Sequence, residues 1–302
     1  MKLEMTTDEM MNDRMTIRNR DTMISFVQSL FAGLAALYCF QVLADEADVT
    51  YLANEGVMVT HGETSIVFDP LFNNSYGQYE LLPDDLRAAL FSGKSPFDKI
   101  DAVFVSHFHG DHFAPEEMLQ LLSKRQDLHL YAPEQAVAAM RKAADDASGS
   151  IVAEQVTGIG IPYGAEPVRY ELGDIQIAAS RIPHSGWPDS MQDVENLAFR
   201  ITLEGSSTVL HLGDADTKDY HYSPHADFWA EKEIHMALPP YWYFSSKNGQ
   251  AVLLNRLKPD QAVGIHVPTS MPDDPDKRPV EYLGFDLFTA PGEMRQIPHT
   301  HD

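Results

Sequence analysis

The residues best equipped for chemistry stand in one short run, Ser106-His107-Phe108-His109-Gly110-Asp111-His112. It follows directly on Ala102-Val103-Phe104-Val105, a continuous apolar stretch of the kind that forms a buried strand. A strand end fixes the backbone, so the turn after it can bring several side chains to one point. Imidazoles two residues apart, at His107 and His109, can reach one ion from an extended start. Asp111 and His112 lie beyond the turn at Gly110 and can address a second. Gathering so many polar groups beside a core without a ligand to hold would be costly, which sets this run apart from an ordinary polar loop. Ser106 reads as a hydrogen bonder at the strand end rather than a nucleophile.

The elements needed to position this run can be read on both sides of it. Strands are expected over residues 49–52, 56–60 and 64–68, the last stopped by Asp69-Pro70, and over 102–105 and 128–131. Helices are expected over 83–91, 115–122 and 133–144. The second half repeats the strand-rich pattern. Hairpins turn at Gly173-Asp174 and Glu204-Gly205, a strand at 234–238 follows a helix at 227–232, and a strand at 261–265 follows a helix at 250–257. Two halves of sheet-then-helix, with no linker between them, predict two β-sheets packed face to face with helices outside.

With that frame, the run at 107–112 resembles the HxHxDH signature of the metallo-β-lactamase fold superfamily. The likeness extends along the chain in the expected order. Asn54-Glu55-Gly56 with Asp69-Pro70 resembles the family's opening hairpin. Pro183-His184-Ser185-Gly186 resembles the loop carrying the third histidine of the first metal site. Leu212-Gly213-Asp214 and Gly264-Ile265-His266 resemble the strand ends carrying the bridging aspartate and the last histidine. The resemblance implies an α/β (α+β) fold, a four-layer αββα sandwich with its active site at one edge between the two sheets. It also implies a ligand set: His107, His109 and His184 on one ion, Asp111, His112 and His266 on the other, and Asp214 bridging them. The competing Asp216 is set aside because Asp214 comes directly after strand and glycine.

Nitrogen and oxygen ligands in that number suit two divalent ions, zinc first, with manganese or iron able to use the same set. A water between two such ions loses its proton near neutral pH, which supplies a hydroxide nucleophile. Asp111 and Asp214 are then the catalytic carboxylates, one orienting that water and the other bridging. The expected activity is hydrolysis of a small ester, lactone or phosphodiester. An iron-dependent oxidoreductase of the same fold, sulfur dioxygenase-like, and a true β-lactamase are the alternatives.

Specificity is expected from aromatic loop residues: Trp187, and Tyr241, Trp242 and Tyr243 after the strand at 234–238. Lys247 and Arg181 are weaker candidates for substrate contact. The remaining histidines have other readings. His211 either faces the core or donates to a ligand carboxylate. His221 and His225 read as exposed loop positions, His129 and His235 as strand residues, and His299 and His301 as part of a polar tail.

Charge and targeting bound the partners. A formal net charge of −23 leaves no Lys/Arg excess to neutralise phosphates, so nucleic acid and anionic lipid surfaces are excluded as partners and a small-molecule substrate is expected. Residues 24–44 are mostly apolar, follow Arg14, Arg18 and Arg20, and end in Val42-Leu43-Ala44, the pattern of a cleaved export signal. Residues 1–44 are therefore expected to be a leader and signal peptide, and residues 45–302 an exported, periplasmic or secreted hydrolase domain with no stable membrane partner. The alternative is an uncleaved anchor over residues 24–44 with the domain outside the membrane. The sole cysteine, Cys39, lies in that stretch, so the domain holds its metals without thiolate.

Overall fold

Alternation within the strands shows which face each residue takes. In the computed structural model, which describes residues 47–145 and 149–298, β1 (Ala47–Ala53), β2 (Gly56–His61), β3 (Thr64–Phe68), β4 (Ile100–Phe104), β5 (His129–Pro133) and β6 (Val156–Ile159) form one sheet. Val49, Tyr51, Val57, Val59, Ile66, Phe68, Ala102, Phe104 and Tyr131 point one way, into a core shared with the second sheet. Met58, Val67, Val103 and Leu130 point the other way, onto the helices Asp84–Ser92, Pro115–Lys124, Glu134–Ala143 and Gly149–Gln155. Both faces are dry, which is why these strands read as continuous apolar runs.

The second sheet repeats the plan. β7 (Val168–Leu172), β8 (Ile175–Arg181), β9 (Leu197–Leu203) and β10 (Ser207–His211) are mutually antiparallel, and β11 (Met236–Leu238), β12 (Gln261–Gly264) and β13 (Asp286–Leu287) continue in parallel. The first sheet likewise opens on antiparallel pairs and closes on the parallel pairs β3–β4, β4–β5 and β5–β6. β14 (Met294–Gln296) adds to β1, so each sheet has seven strands. A separate apolar cluster, with Trp229, Tyr243, Phe244 and Leu253, fills the space between the second sheet and its own helices. The result is the four-layer αββα sandwich.

Several elements differ from expectation. The helix Gly149–Gln155 and strand β6 were not anticipated, and neither were β13 and β14, which are only two and three residues long. The helix expected over 250–257 begins earlier, at Lys247, and passes into π-helical turns over Val252–Leu257. The expected signal peptide and its cleavage point, Cys39, and the tail histidines His299 and His301 lie outside the described residues. Among the described residues, no helix is long and apolar enough to cross a membrane.

The layout decides where side chains converge. The C-terminal ends of parallel strands β3, β4, β10, β11 and β12 each release a loop, and in open α/β sheets such ends are where ligands bind. Gly213, in the turn after β10, shows how tightly they are drawn together. Its φ is +53°, and a Cβ there would lie 2.4 Å from Asn196 Oδ1 and 2.7 Å from Ser106 Cβ. Gly213→Ala is therefore expected to lower stability by about 2–4 kcal/mol, combining left-handed strain with overpacking. Urea unfolding of the variant checks this, and a change under about 0.5 kcal/mol, the range of a neutral surface substitution, would contradict it.

Candidate metal centre

The buried polar residues at this edge are placed by backbone, and the backbone is held by other buried polar groups. Asp69, at the end of β3, accepts from the Ser106 backbone N–H (2.7 Å) and from Ser106 Oγ (2.5 Å), tying the ends of β3 and β4 together. Ser106 thus takes the strand-end role expected of it. The same Asp69 lies 2.9 Å from His112 Nδ1, which fixes that ring with Nε2 facing the other way. Asn196 is a second clamp. Its Nδ2 donates to Ile182 O and Leu212 O, and its Oδ1 accepts from Asp214 N at 3.0 Å. The loop carrying His184 and the turn carrying Asp214 are thereby joined, and Ser185 N donates to Asp214 O at 2.7 Å. Asn54 donates from Nδ2 to Asp111 O and accepts at its own carbonyl from His266 N, both at 2.8 Å. His266 has φ +58°, an uncommon conformation for a residue with a side chain and one that concentrates at functional sites.

All seven sequence-derived candidates meet here. His107 Nε2 faces His109 Nδ1 at 3.1 Å and Asp214 Oδ2 at 3.9 Å, and His184 Nε2 lies 3.0 Å from that same oxygen. On the other side, His266 Nε2 lies 3.4 Å from both Asp111 Oδ2 and Asp214 Oδ1. His112 Nε2 is 3.5 Å from Asp214 Oδ1 and 3.8 Å from Asp111 Oδ2. Two groups result, His107–His109–His184–Asp214 and Asp111–His112–His266, each compact enough for one ion. Asp214 presents one oxygen to each.

The donor atoms fit metals better than they fit one another. His112 Nε2, His184 Nε2, His266 Nε2 and Asp214 Oδ1 are buried and make no hydrogen bond, although several lie within 3.5 Å of a partner. Buried polar atoms are nearly always satisfied, so orphaned atoms converging in this way mark places for cations. Electrostatics agree. Burial and the neighbouring His112 hold the His107 imidazole well below its usual range, in the neutral form that ligates. Burial alone would raise Asp214, but His266, His112 and His184 outweigh it and hold the carboxyl well below the usual carboxylate range. Burial likewise opposes protonation of His112, yet Asp214, Asp69 and Glu55 push it up to about 10. The pocket around His112 therefore calls for positive charge. Partners that orient a ligand ring typically matter tenfold to hundredfold for metal affinity, so Asp69→Ala is expected to weaken divalent-ion binding by about that factor. Calorimetric titration of the metal-free protein would show it, and unchanged affinity would contradict it.

Glu55, part of the opening hairpin, carries no expected site role from sequence, but it is fully buried beneath the cluster. Its carboxylate is 3.7 Å from both His112 Nδ1 and His211 Nε2 and makes no hydrogen bond, and burial raises its pKa well above normal. His211 faces the core: its ring stacks on Phe68 at 4.6 Å and Nε2 donates to the Glu55 carbonyl.

The mouth above the cluster is a cavity of about 380 Å³, walled by Tyr76, Gln78, Tyr79, His109, Asp111, His184, Ser185, Met191, Asp214, Trp242 and His266. Larger hollows exist, such as one of about 790 Å³ beside Glu116 and Glu154, but it contains none of the clustered histidines. Of the four aromatic residues expected at the mouth, Trp242 is on its wall. The other three need correction. Tyr243 is fully buried, its hydroxyl hydrogen-bonded to Tyr222 and to the carbonyls of Ala215 and Asp216, so it supports the Asp214 turn from behind. Tyr241 packs on Tyr282, and Trp187 packs among Tyr163, Tyr220 and His221. Lys247 and Arg181 are also absent from the wall. His221 and His225 are buried rather than exposed, tucked in by successive 3₁₀ turns, and burial pushes His221 down to about 4.

Two sandwiched mixed sheets with a His/Asp cluster at the strand ends define a protein of the metallo-β-lactamase fold. The chain belongs to the beta-lactamase superfamily, whose domain model matches residues 64–267. Among solved structures it is similar to Igni18, a metallo hydrolase from Ignicoccus hospitalis KIN4/I, at 18% identity and TM-score 0.53, over 84% of this chain and 100% of that one. It is also similar to a protein from Parabacteroides distasonis ATCC 8503 described as a metal-dependent hydrolase, at 16% identity and TM-score 0.51, over 80% and 91% of the two chains. A diphosphatase of the PhnP family matches at 14% identity and TM-score 0.50, over 83% and 97%. These likenesses show the fold. No curated protein sequence matches the chain.

Proposed function

We propose that this protein is an exported hydrolase working with two divalent ions, zinc first among them, on a small ester, lactone or phosphodiester. The observation that carries the reading is Asp214, whose two carboxylate oxygens face two separate groups of orphaned ligand atoms. Two bound ions would supply Lewis acidity and an activated water. The residues of the chain supply the rest. His107, His109 and His184 would hold one ion and Asp111, His112 and His266 the other. Asp214, which presents one oxygen to each group, would contribute to both sites. Asp111 also lines the cavity, where its carboxylate can accept a hydrogen bond from an attacking water and keep a lone pair turned toward the substrate. Asp69, Asn54 and Asn196 hold these ligands in place before substrate arrives, which limits reorganisation during the reaction. Export is supported by the Arg-flanked apolar stretch ending at Ala44, and a small-molecule substrate by the modest cavity and the acidity of the chain.

The test is a panel of lactones, carboxyl esters, thioesters, phosphomonoesters, phosphodiesters and β-lactams. It is run on the metal-loaded protein with Asp214→Asn as matched control. At least one class should be turned over by the wild type and not by the variant. Inertness across the panel, or equal rates in both proteins, would refute the reading.

A further inference from the structure

The cavity wall carries information that the ligand set does not. Among the described residues lining it, none is Lys or Arg. The nearest cations along the chain are engaged elsewhere: Arg181 donates to Ile161 O at 3.2 Å, and Lys218 donates to Trp187 O and pairs with Asp216, both at 2.8 Å. Two divalent ions would bring four positive charges, of which Asp69, Asp111 and Asp214 offset three. Little net attraction remains for a substrate anion beyond direct contact with the ions, and the chain as a whole carries a formal charge of −23.

What the wall offers is aromatic surface. The Tyr79 and Trp242 rings both approach His266, at 4.3 Å and 5.3 Å between centroids and at 86° and 65°. The Trp242 indole N–H is buried and has no acceptor. Around the rim, Tyr76 is 57% exposed, Met191 42%, and Phe108, packed beside His109, 36%. Large apolar side chains left in water next to a cavity mark a place where an apolar ligand is received.

We propose that Tyr79 and Trp242 are specificity-determining residues and that they seat an uncharged aromatic group of the substrate beside the metal centre. This rests on the metal-hydrolase reading above. It narrows that reading to neutral esters and lactones whose acyl or alcohol part carries a ring. Phosphodiesters and substrates with a carboxylate on the ring side are disfavoured.

The test holds the metal-binding head constant and varies only the part that meets the wall. Acetohydroxamate, benzohydroxamate and 4-carboxybenzohydroxamate are titrated calorimetrically into the metal-loaded full chain. The phenyl ring is expected to tighten binding about tenfold or more over the methyl group. The para-carboxylate is expected to cancel that gain, by a margin that shrinks as salt rises. Tyr79→Ala and Trp242→Ala are expected to weaken benzohydroxamate about tenfold more than acetohydroxamate, each variant being compared at equal metal loading. Trp242→Leu supplies the comparison if the alanine variant folds poorly, since it keeps bulk without a ring. If the carboxylate binds as tightly as the parent ring, or the variants weaken both ligands alike, the proposal is overturned while the metal reading stands. If acetohydroxamate itself fails to bind, no metal position is open to the cavity, and the hydrolase reading falls and takes this proposal with it.

Discussion

Replacing Asp214 with Asn should reduce hydrolysis by at least about 10²–10³-fold, the range seen when one preorganised electrostatic group is removed from a reaction site. Asn keeps the size and one oxygen of the side chain but removes its charge and one of its two acceptor oxygens. In this protein those oxygens face different ligand groups, one 3.0 Å from His184 Nε2 and the other 3.4 Å from His266 Nε2. The backbone is held independently, through Asp214 N to Asn196 and Asp214 O to Ser185, so the variant should fold. Its metal content should also fall below that of the wild type. Steady-state rates on whichever substrate the panel identifies, with metal analysis of the same sample, decide the matter. Loss of rate with full metal content would place the role of Asp214 in chemistry alone. Unchanged rate would remove it from the mechanism.

The largest expected effect on stability lies two residues before Ser106. Phe104 is fully buried between the sheets. Its ring lies 5.2 Å from Phe68, 5.3 Å from Tyr131 and 5.2 Å from Phe199. Phe68 and Tyr131 are its register partners on either side, and Phe199 comes from the opposite sheet. Phe104→Ala removes the ring on which the two sheets meet, at an expected cost of about 3–5 kcal/mol. For a domain of this size that corresponds to a fall in Tm of roughly 6–20 °C. Since β4 delivers His107, the variant should also lose metal more readily. Thermal unfolding of wild type and variant, each loaded with metal, provides the comparison. A loss under about 1 kcal/mol would show that the inter-sheet contact contributes less than its burial suggests.

How far the sequence could be read depended on how local each signal was. The run from His107 to His112 stood out because several donors crowd behind one buried strand. His184, Asp214 and His266 are single residues far apart in the chain, and only the order of motifs shared with a known family joined them. Asp69 and Glu55 were visible as charges beside apolar strands, but which carboxylate stands behind which imidazole depends on the pairing of β3 with β4 and on the facing sheet. Neither is a local property. Four consecutive aromatic residues at 241–244 cannot all face one core. In the short helix from Trp242 to Ser245 successive side chains diverge by about 100°, which leaves Trp242 at the cavity and sends Tyr243 inward. The loop at 72–79, which supplies Tyr76 and Tyr79, has no periodicity and gave no sign of its position. The two-sheet symmetry of the fold was legible in outline, whereas β13 and β14 are too short and too polar to register.

The central claim is that these buried ligand atoms hold two divalent cations. Elemental analysis of protein purified without added metal tests it most directly. The expected result is about two ions per chain, predominantly zinc, falling when Asp214 is replaced by Asn. A reproducible stoichiometry near zero would contradict the claim outright, and a single redox-active iron would replace the hydrolase with an oxidoreductase on the same fold.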